Sequence, residues 1–237
     1  NQARILADNA APDRSLVITP RQTRGRGRGA NVWWSGRGTL TFTLILRPSA
    51  PSMSPRYPGL ISLICGLAVA RAIRGLDRRC MAGVKWPNDI YLNSKKLGGI
   101  LIESSVRAGR FSHLIVGVGL NLNTAFRAAP PGIKSSAISL SEFSGRRWNE
   151  SKTLESILAG LLGSIDQLMR RGDNSFLDGW RKHDVVRRGS RITVEMDGRS
   201  LSGTYQGISS IGELRLKDDQ GRAHSVSTGT LTIHSSP

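Results

Sequence analysis

The sequence predicts a mixed α/β domain followed by a small all-β domain. Three observations carry this. Apolar residues recur at helical spacing over Leu60–Ile73 and again over Leu154–Leu168. Short strand signals, some with period two, fill the stretch from Leu16 to Leu122 around the first of these helices. After Arg188-Gly189 the texture changes to short apolar runs separated by Asp197-Gly198, Ile211-Gly212 and Gln220-Gly221. Strand signals about every 8–12 residues indicate a small barrel. The boundary falls near Val186 to Ser190, dividing the chain into residues 1–187 and 188–237.

In order along the chain, Leu16-Val17-Ile18-Thr19 reads as a strand ended by Pro20. Gln22 to Gly29 is a Gly/Arg loop. Thr39 to Leu46 alternates threonine with apolar residues before Ile45-Leu46, a period-two strand signal built of strand-favouring residues. Arg47 to Pro58, with Pro48, Pro51, Pro55 and Pro58, is a connection, and Pro58 suits a first helical turn. The helix over Leu60–Ile73 is expected to end at Gly75. Val84–Trp86, Ile90–Leu92, Gly99–Glu103 and Leu114–Leu122 read as strands, with a hairpin turn at Asn93-Ser94. Asn123 to Ser144 is predicted as polar loop. A strong amphipathic helix over Leu154–Leu168 stops at Gly172, and Phe176, Leu177 and Trp180 suggest a second short helix. Five strands follow, at Ile192–Val194, Gly203–Tyr205, Leu214–Leu216, Ser225–Ser227 and Leu231–Ile233.

Composition narrows the function classes. At 237 residues, with 38% hydrophobic and 22% charged residues, the chain has the profile of a globular protein with a full core. No apolar run is read as reaching the roughly 18 residues of a membrane span, so no membrane association is expected. No basic-then-apolar leader is seen at Asn1. Cys65 and Cys80 make no disulfide framework, and four scattered histidines lack ligand spacing, so no protein-held metal is expected. Two lone cysteines suit a reducing cytoplasm. The net charge of +17 attracts polyanions without selecting among them. Aromatics are 5% and do not interleave with the basic runs, so no specific nucleic-acid partner is expected.

Two segments carry chemistry. Lys85-Trp86-Pro87-Asn88-Asp89 sets a lysine before a break and two short polar side chains, followed by Lys96-Leu97-Gly98-Gly99-Ile100-Leu101. Upstream lies Gln22-Thr23-Arg24-Gly25-Arg26-Gly27-Arg28-Gly29. Lysine is a mobile point charge, and arginine a planar fork matching phosphate. Glycines let the loop backbone approach a ligand closely. The Gly-Lys-Ser/Thr ending of a Walker loop is absent. Taken singly, Arg26 and Arg28 fit a disordered Gly/Arg segment or a nucleic-acid tail better than a ligand site, Lys85 reads as a solvated strand-edge lysine, and Lys96 fits a hairpin lysine as well as a phosphate contact. Asn88 and Asp89 read as backbone shapers around Lys85, and Gly117 and Gly119 as permitting close strand packing.

Taken together with Trp33 and Gly117-Val118-Gly119-Leu120-Asn121, these segments resemble the motif series of biotin protein ligases in order and spacing. The resemblance implies an α+β mixed-sheet catalytic domain of the class II-synthetase-like type and an SH3-like C-terminal barrel. It implies an ATP-dependent, AMP-forming ligase that makes biotinyl-5′-AMP. The biotinyl group would pass to a lysine of a biotin carboxyl carrier domain, as in acetyl-CoA carboxylase. Lys85 and Arg28 would be catalytic. Gln22, Gly25, Arg26, Arg28, Lys85 and Gly98 would bind biotin, with Gln22 near its ureido group. Arg26, Arg28, Trp33, Lys85, Lys96 and Asn121 would bind ATP or the adenylate, with Trp33 against the adenine. Mg²⁺ would arrive with ATP, with Asn121 near nucleotide or metal. The protein would act as monomer or homodimer. A lipoate or octanoate ligase of the same fold is the alternative, and a basic nucleic-acid-binding protein a weaker one. The chain departs from the family pattern at Arg24, where a small residue is common. It also lacks the Ser-Thr that usually precedes the asparagine matched by Asn1.

Overall fold

The computed structural model describes residues 2–48, 58–171, 176–196 and 198–234. Its elements are α1 (Gln2–Asp8), β1 (Ser15–Thr19), β2 (Leu40–Leu46), α2 (Pro58–Leu76), β3 (Gly83–Lys85), β4 (Asp89–Leu92), β5 (Lys95–Arg107) and β6 (Arg110–Leu120). There follow α3 (Pro131–Ser136), α4 (Leu140–Ser144), α5 (Glu150–Arg171), α6 (Phe176–His183), β7 (Arg191–Met196), β8 (Arg199–Ile208), β9 (Leu214–Lys217), β10 (Ala223–Val226) and β11 (Thr230–Ile233). Two antiparallel sheets result, of order β1-β2-β6-β5-β4-β3 and β10-β9-β8-β7-β11. This is the mixed α/β architecture with a C-terminal β unit that the periodicity predicts.

Period-two alternation divides the faces of the large sheet. Phe42, Leu44 and Leu46 of β2 and Leu114, Val116, Val118 and Leu120 of β6 face one way, into the main core. There they meet α2, whose Ile61, Leu63, Ile64, Leu67 and Ile73 are buried, and α5, whose Ile157, Leu161 and Ile165 are buried. The core continues into the second sheet through Ile192, Val194, Tyr205, Leu214 and Leu231. On the opposite face, Ala7 of α1 packs with Ile45 and Ile115 in a small separate cluster.

The structure corrects several expectations. Residues 2–8 form a helix where none is expected. A seven-residue helix is too short to stand by its own propensity. It is held by the Ile45–Ile115 patch and by Arg47, whose guanidinium donates to the Ala11 carbonyl at 2.6 Å and to the Ala7 carbonyl at 2.5 Å. The 123–144 stretch is not plain loop: it holds a 3₁₀ turn at Phe126–Ala128 and the short helices α3 and α4. Pro131 sits in the first turn of α3, and Ser139 caps α4 by accepting from the Glu142 amide at 3.2 Å. The Gly99–Glu103 strand extends to Lys95–Arg107, because its polar ends are paired with β4 and β6. The α2 helix runs one residue past Gly75, to Leu76. The expected stop at Gly172 lies outside the described residues.

The reading that no run reaches membrane length is also corrected. Gly59–Leu76 has the length and a mean hydropathy of 1.7. Its hydrophobicity is explained by packing: 61% of that stretch is buried inside the protein, against the sheet and α5.

Candidate functional site

The cavity face of the large sheet is built by register. Reading across all six strands, Lys85 pairs with Asp89, Asp89 with Gly99, Gly99 with Gly119, Gly119 with Thr41 and Thr41 with Thr19. The next row runs Leu101, Gly117, Thr43 and Val17. Each of these residues lines one cavity of about 730 Å³. Small side chains at the centre of the rows leave the depth, and charged ones at the β3–β4 edge supply the field. The volume lies within the range of small-molecule sites.

The cations cluster at that edge. Lys85 Nζ lies 5.0 Å from the centre of the Tyr91 ring and donates to the Tyr91 hydroxyl at 3.3 Å. Burial pushes the Lys85 pKa down, opposed by the Asp89 carboxylate and reinforced by the Lys96 charge. Burial and then Asp89 push Tyr91 up to about 12. Lys96 Nζ pairs with Asp89 Oδ1 at 2.7 Å. A shift of register between Ile90 and Tyr91 lets Lys96 reach the cavity face. Asn88 anchors the motif: it accepts the Ile100 amide at 2.9 Å and returns its side-chain amide to the Ile100 carbonyl at 2.9 Å. That matches the backbone-shaping part expected of Asn88. Asp89 differs, because its carboxylate faces the cations. The Trp86–Pro87 peptide is cis, and the Trp86 indole donates to the Gly212 carbonyl at 3.1 Å.

The Gly/Arg segment is a short hairpin over this floor. Gly27 donates to the Asn31 carbonyl at 2.8 Å, Asn31 to Arg28 at 3.2 Å and Trp33 to Gly25 at 3.1 Å. The turn takes a positive φ of 59° at Gly29, which a glycine adopts without strain. Arg26 forms a two-pronged ion pair with Glu103, at 3.0 and 2.7 Å. Arg28 reaches the second sheet: Nη1 donates to the Thr228 hydroxyl at 2.6 Å and Nη2 to the Gly229 carbonyl. Burial lowers the Arg28 pKa, and Asp89 opposes that. The Trp33 ring lies on Gly119, its indole nitrogen buried without a partner among the described residues.

Of the residues singled out by sequence, Gln22, Arg26, Arg28, Trp33, Lys85 and Lys96 come together on the cavity. Gly25, Gly98 and Asn121 do not line it. Gly25 is buried against the Trp33 carbonyl, where a side chain would clash. Gly98 faces the Gly119 carbonyl inside the sheet. Asn121 is buried, and its amide points at the Lys96 carbonyl, 3.5 Å away. Asp89, Tyr91, Glu103, Thr230 and Leu231 line the cavity without having been singled out as binding residues. Asp89 and Tyr91 lie within the motif region and were within reach of a period-two argument. Thr230 and Leu231 carry no local signal.

The model of the biotin/lipoate A/B protein ligase family matches residues 5–121. The bifunctional ligase/repressor BirA of Bacillus spizizenii is 32% identical over 224 residues, covering 92% of this chain and 66% of that protein. The protein of the same name from Bacillus subtilis is 32% identical over 226 residues, with the same coverages of 92% and 66%. The chain therefore spans just under two thirds of the length of these relatives. Among solved structures, the biotin protein ligase from Aquifex aeolicus in complex with biotin and ATP superposes with a TM-score of 0.83. It is 25% identical, with 99% of this chain and 94% of that one covered.

Proposed function

The chain belongs to the biotin/lipoate A/B protein ligase family, and we propose that it acts as a biotin–protein ligase: it joins biotin to ATP as biotinyl-5′-AMP, then transfers the biotinyl group to a lysine of an acceptor protein. The observation that carries this reading is the gathering of Lys85, Lys96, Arg26 and Arg28 around one cavity with a floor of small residues. A carboxylate and a triphosphate repel one another, and fixed cations offset that repulsion most where charge builds up during reaction.

In the first step a biotin carboxylate oxygen bonds to the α-phosphorus. The bond from that phosphorus to the bridging oxygen breaks, and pyrophosphate leaves with the electron pair. Lys85 stands in a partly desolvated setting, where its charge acts more strongly than in water. Its contact with Tyr91 limits the directions its ammonium can take. Arg28 and Lys96 supply further positive charge, and Asp89 holds Lys96 in place. In the second step an acceptor lysine amine attacks the acyl carbon. AMP leaves and the amine gives up a proton. The hairpin carrying Arg26 and Arg28 covers the cavity, which keeps the reactive anhydride from water.

Mg²⁺ would screen the phosphates and enter bound to ATP. Among the described residues no group of three or more His, Cys, Asp or Glu side chains is arranged to hold a metal. Residues 1–187 are read as the ligase domain and 188–237 as a C-terminal domain. The acceptor is read as a carboxylase carrier domain.

The test is pyrophosphate exchange into ATP with biotin or lipoate as the acid. Biotin is expected to support exchange and lipoate is not. Exchange with lipoate alone would overturn the assignment in favour of the lipoate branch of the family.

A further inference from the structure

Arg28 is held from outside its own domain. It lies on the hairpin between β1 and β2, yet two of its nitrogens are bonded 200 and 201 residues away, at the Thr228 hydroxyl and the Gly229 carbonyl. Thr228 and Gly229 form the turn between β10 and β11. Thr230 and Leu231, immediately after it, line the cavity. That turn is itself firmly placed. A side chain at Gly229 would meet Val194 Cγ1 at 2.6 Å, and Leu231 is buried in the core between the sheets. The remaining nitrogen of the guanidinium, Nε, is buried without a hydrogen-bond partner among the described residues.

An arginine has five N–H donors and considerable rotamer freedom. Fixing two of its nitrogens on a rigid turn removes most of that freedom and leaves the other donors in one orientation. The hairpin alone does not do this. Its internal bonds join the backbones of Gly25, Gly27, Arg28, Asn31 and Trp33 and run from the Asn31 side-chain amide to the Arg28 carbonyl, and none engages the Arg28 guanidinium.

We propose that the Thr228–Gly229 turn is a positioning element for Arg28, with Thr228 as its positioning residue. By aiming the guanidinium, the turn determines how long the acyl-adenylate is retained. The proposal deepens the biotin-ligase reading and rests on it for the identity of the retained intermediate. It gives the small C-terminal sheet a part in the chemistry of the large one. The Trp86 indole to Gly212 bond makes a second tie between the sheets, next to Lys85.

The experiment uses the full chain with Thr228→Val and Thr228→Ser. Valine keeps the shape and loses the acceptor oxygen, and serine keeps the oxygen. Thr228 is exposed, so neither change should compromise folding. Three quantities are read: the rate at which biotinyl-AMP leaves the isolated protein, the KM for biotin in pyrophosphate exchange, and tryptic cleavage after Arg28 without ligands. Thr228→Val is expected to release the adenylate about 3- to 10-fold faster with the biotin KM unchanged, and to be cut faster after Arg28. Thr228→Ser should match the parent in all three. Equal release by all three proteins, with exchange intact, would overturn the proposal while leaving the ligase reading standing. If the parent shows no biotin-dependent exchange, the ligase reading fails and retention fails with it. In that event faster cleavage of Thr228→Val alone would still support the turn as the element that holds Arg28, and equal cleavage would sink that as well.

Discussion

The Trp33 ring rests on the α-carbon of Gly119: a β-carbon there would stand 2.6 Å from Cε2 and 2.8 Å from Cζ2. The glycine lets the indole lie directly on the sheet. Gly119→Ala is therefore expected to displace Trp33 and the hairpin strand that carries it. Overpacking of this kind costs about 1–3 kcal/mol. Thermal unfolding measures the loss, and quenching of the indole fluorescence reports the displacement. An alanine variant with unchanged stability and fluorescence would show that the ring moves aside freely.

Lys85→Ala should lower biotin-dependent pyrophosphate exchange by at least ~100-fold. A single charge contact made chiefly in the transition state is worth about 2.7–4 kcal/mol. A wild-type rate in the alanine variant would remove Lys85 from the site. The direction of its pKa adds a pH dependence. Burial lowers it from the ordinary lysine value of 10.5. The required ammonium is then lost on the alkaline side at a lower pH than for a free lysine, and exchange should decline there. Lys85→Arg, which stays charged, should abolish that decline whatever its absolute rate.

Arg28→Gly is expected to form biotinyl-AMP and release it faster, because the phosphate grip proposed for Arg28 would be lost while Lys85 remains. With biotin and ATP present, albumin should then become biotinylated diffusely. Unlabelled albumin in the presence of adenylate would show that another group retains the intermediate. Failure to form any adenylate would place Arg28 with Lys85 in the chemical step.

Glu103→Gln should loosen the hairpin at its other arginine. The Arg26–Glu103 pair is two-pronged but partly exposed, at 49% and 27% for the two side chains. Its loss should cost about 1 kcal/mol of stability or less. The sensitive readout is trypsin cleavage after Arg26, expected to rise without ligands and to fall again with biotin plus ATP. Cleavage unchanged from the parent would show that the pair does not restrain the loop.

Asp184 makes the stability pH-dependent. It accepts from the Tyr205 hydroxyl at 2.5 Å, the Trp180 indole at 3.1 Å and the Val186 amide at 2.9 Å, so it ties α6 to the second sheet. Burial outweighs those bonds and raises its pKa from 3.8 to about 6. Between those values the folded chain keeps a proton that the unfolded chain has lost. The stabilisation is thus full below about pH 4 and fades as pH rises through about 6. At about 1.36 kcal/mol per pKa unit, it amounts to about 3 kcal/mol at most. Urea unfolding from pH 4 to 7 should show the decline, and Asp184→Asn should flatten it. A stability that rises through this window equally in both proteins would refute the assignment.

Linear pattern was enough to mark the elements and the chemical types at the site. Helical spacing marked α2 and α5, alternation marked β2, and the turn-separated runs after Gly189 marked the second sheet, because each is a local pattern of burial. Lys85, Lys96, Arg26, Arg28 and Trp33 were legible because they lie in two short segments of unusual composition. Gly98 and Asn121 fall within motif segments too, yet they face inward, since a motif does not state which way each side chain points. That Lys85, Asp89, Gly99, Gly119, Thr41 and Thr19 form one row follows from how the strands pair in the folded sheet. Register is set between strands, and a slip of one residue would send each of them to the other face. Glu103 beneath Arg26 and the Thr228–Gly229 turn beneath Arg28 were likewise beyond a linear reading. Their partners lie 77 and about 200 residues away along the chain. The hydrophobic packing that joins the two sheets, rather than any local preference, brings the turn to the arginine.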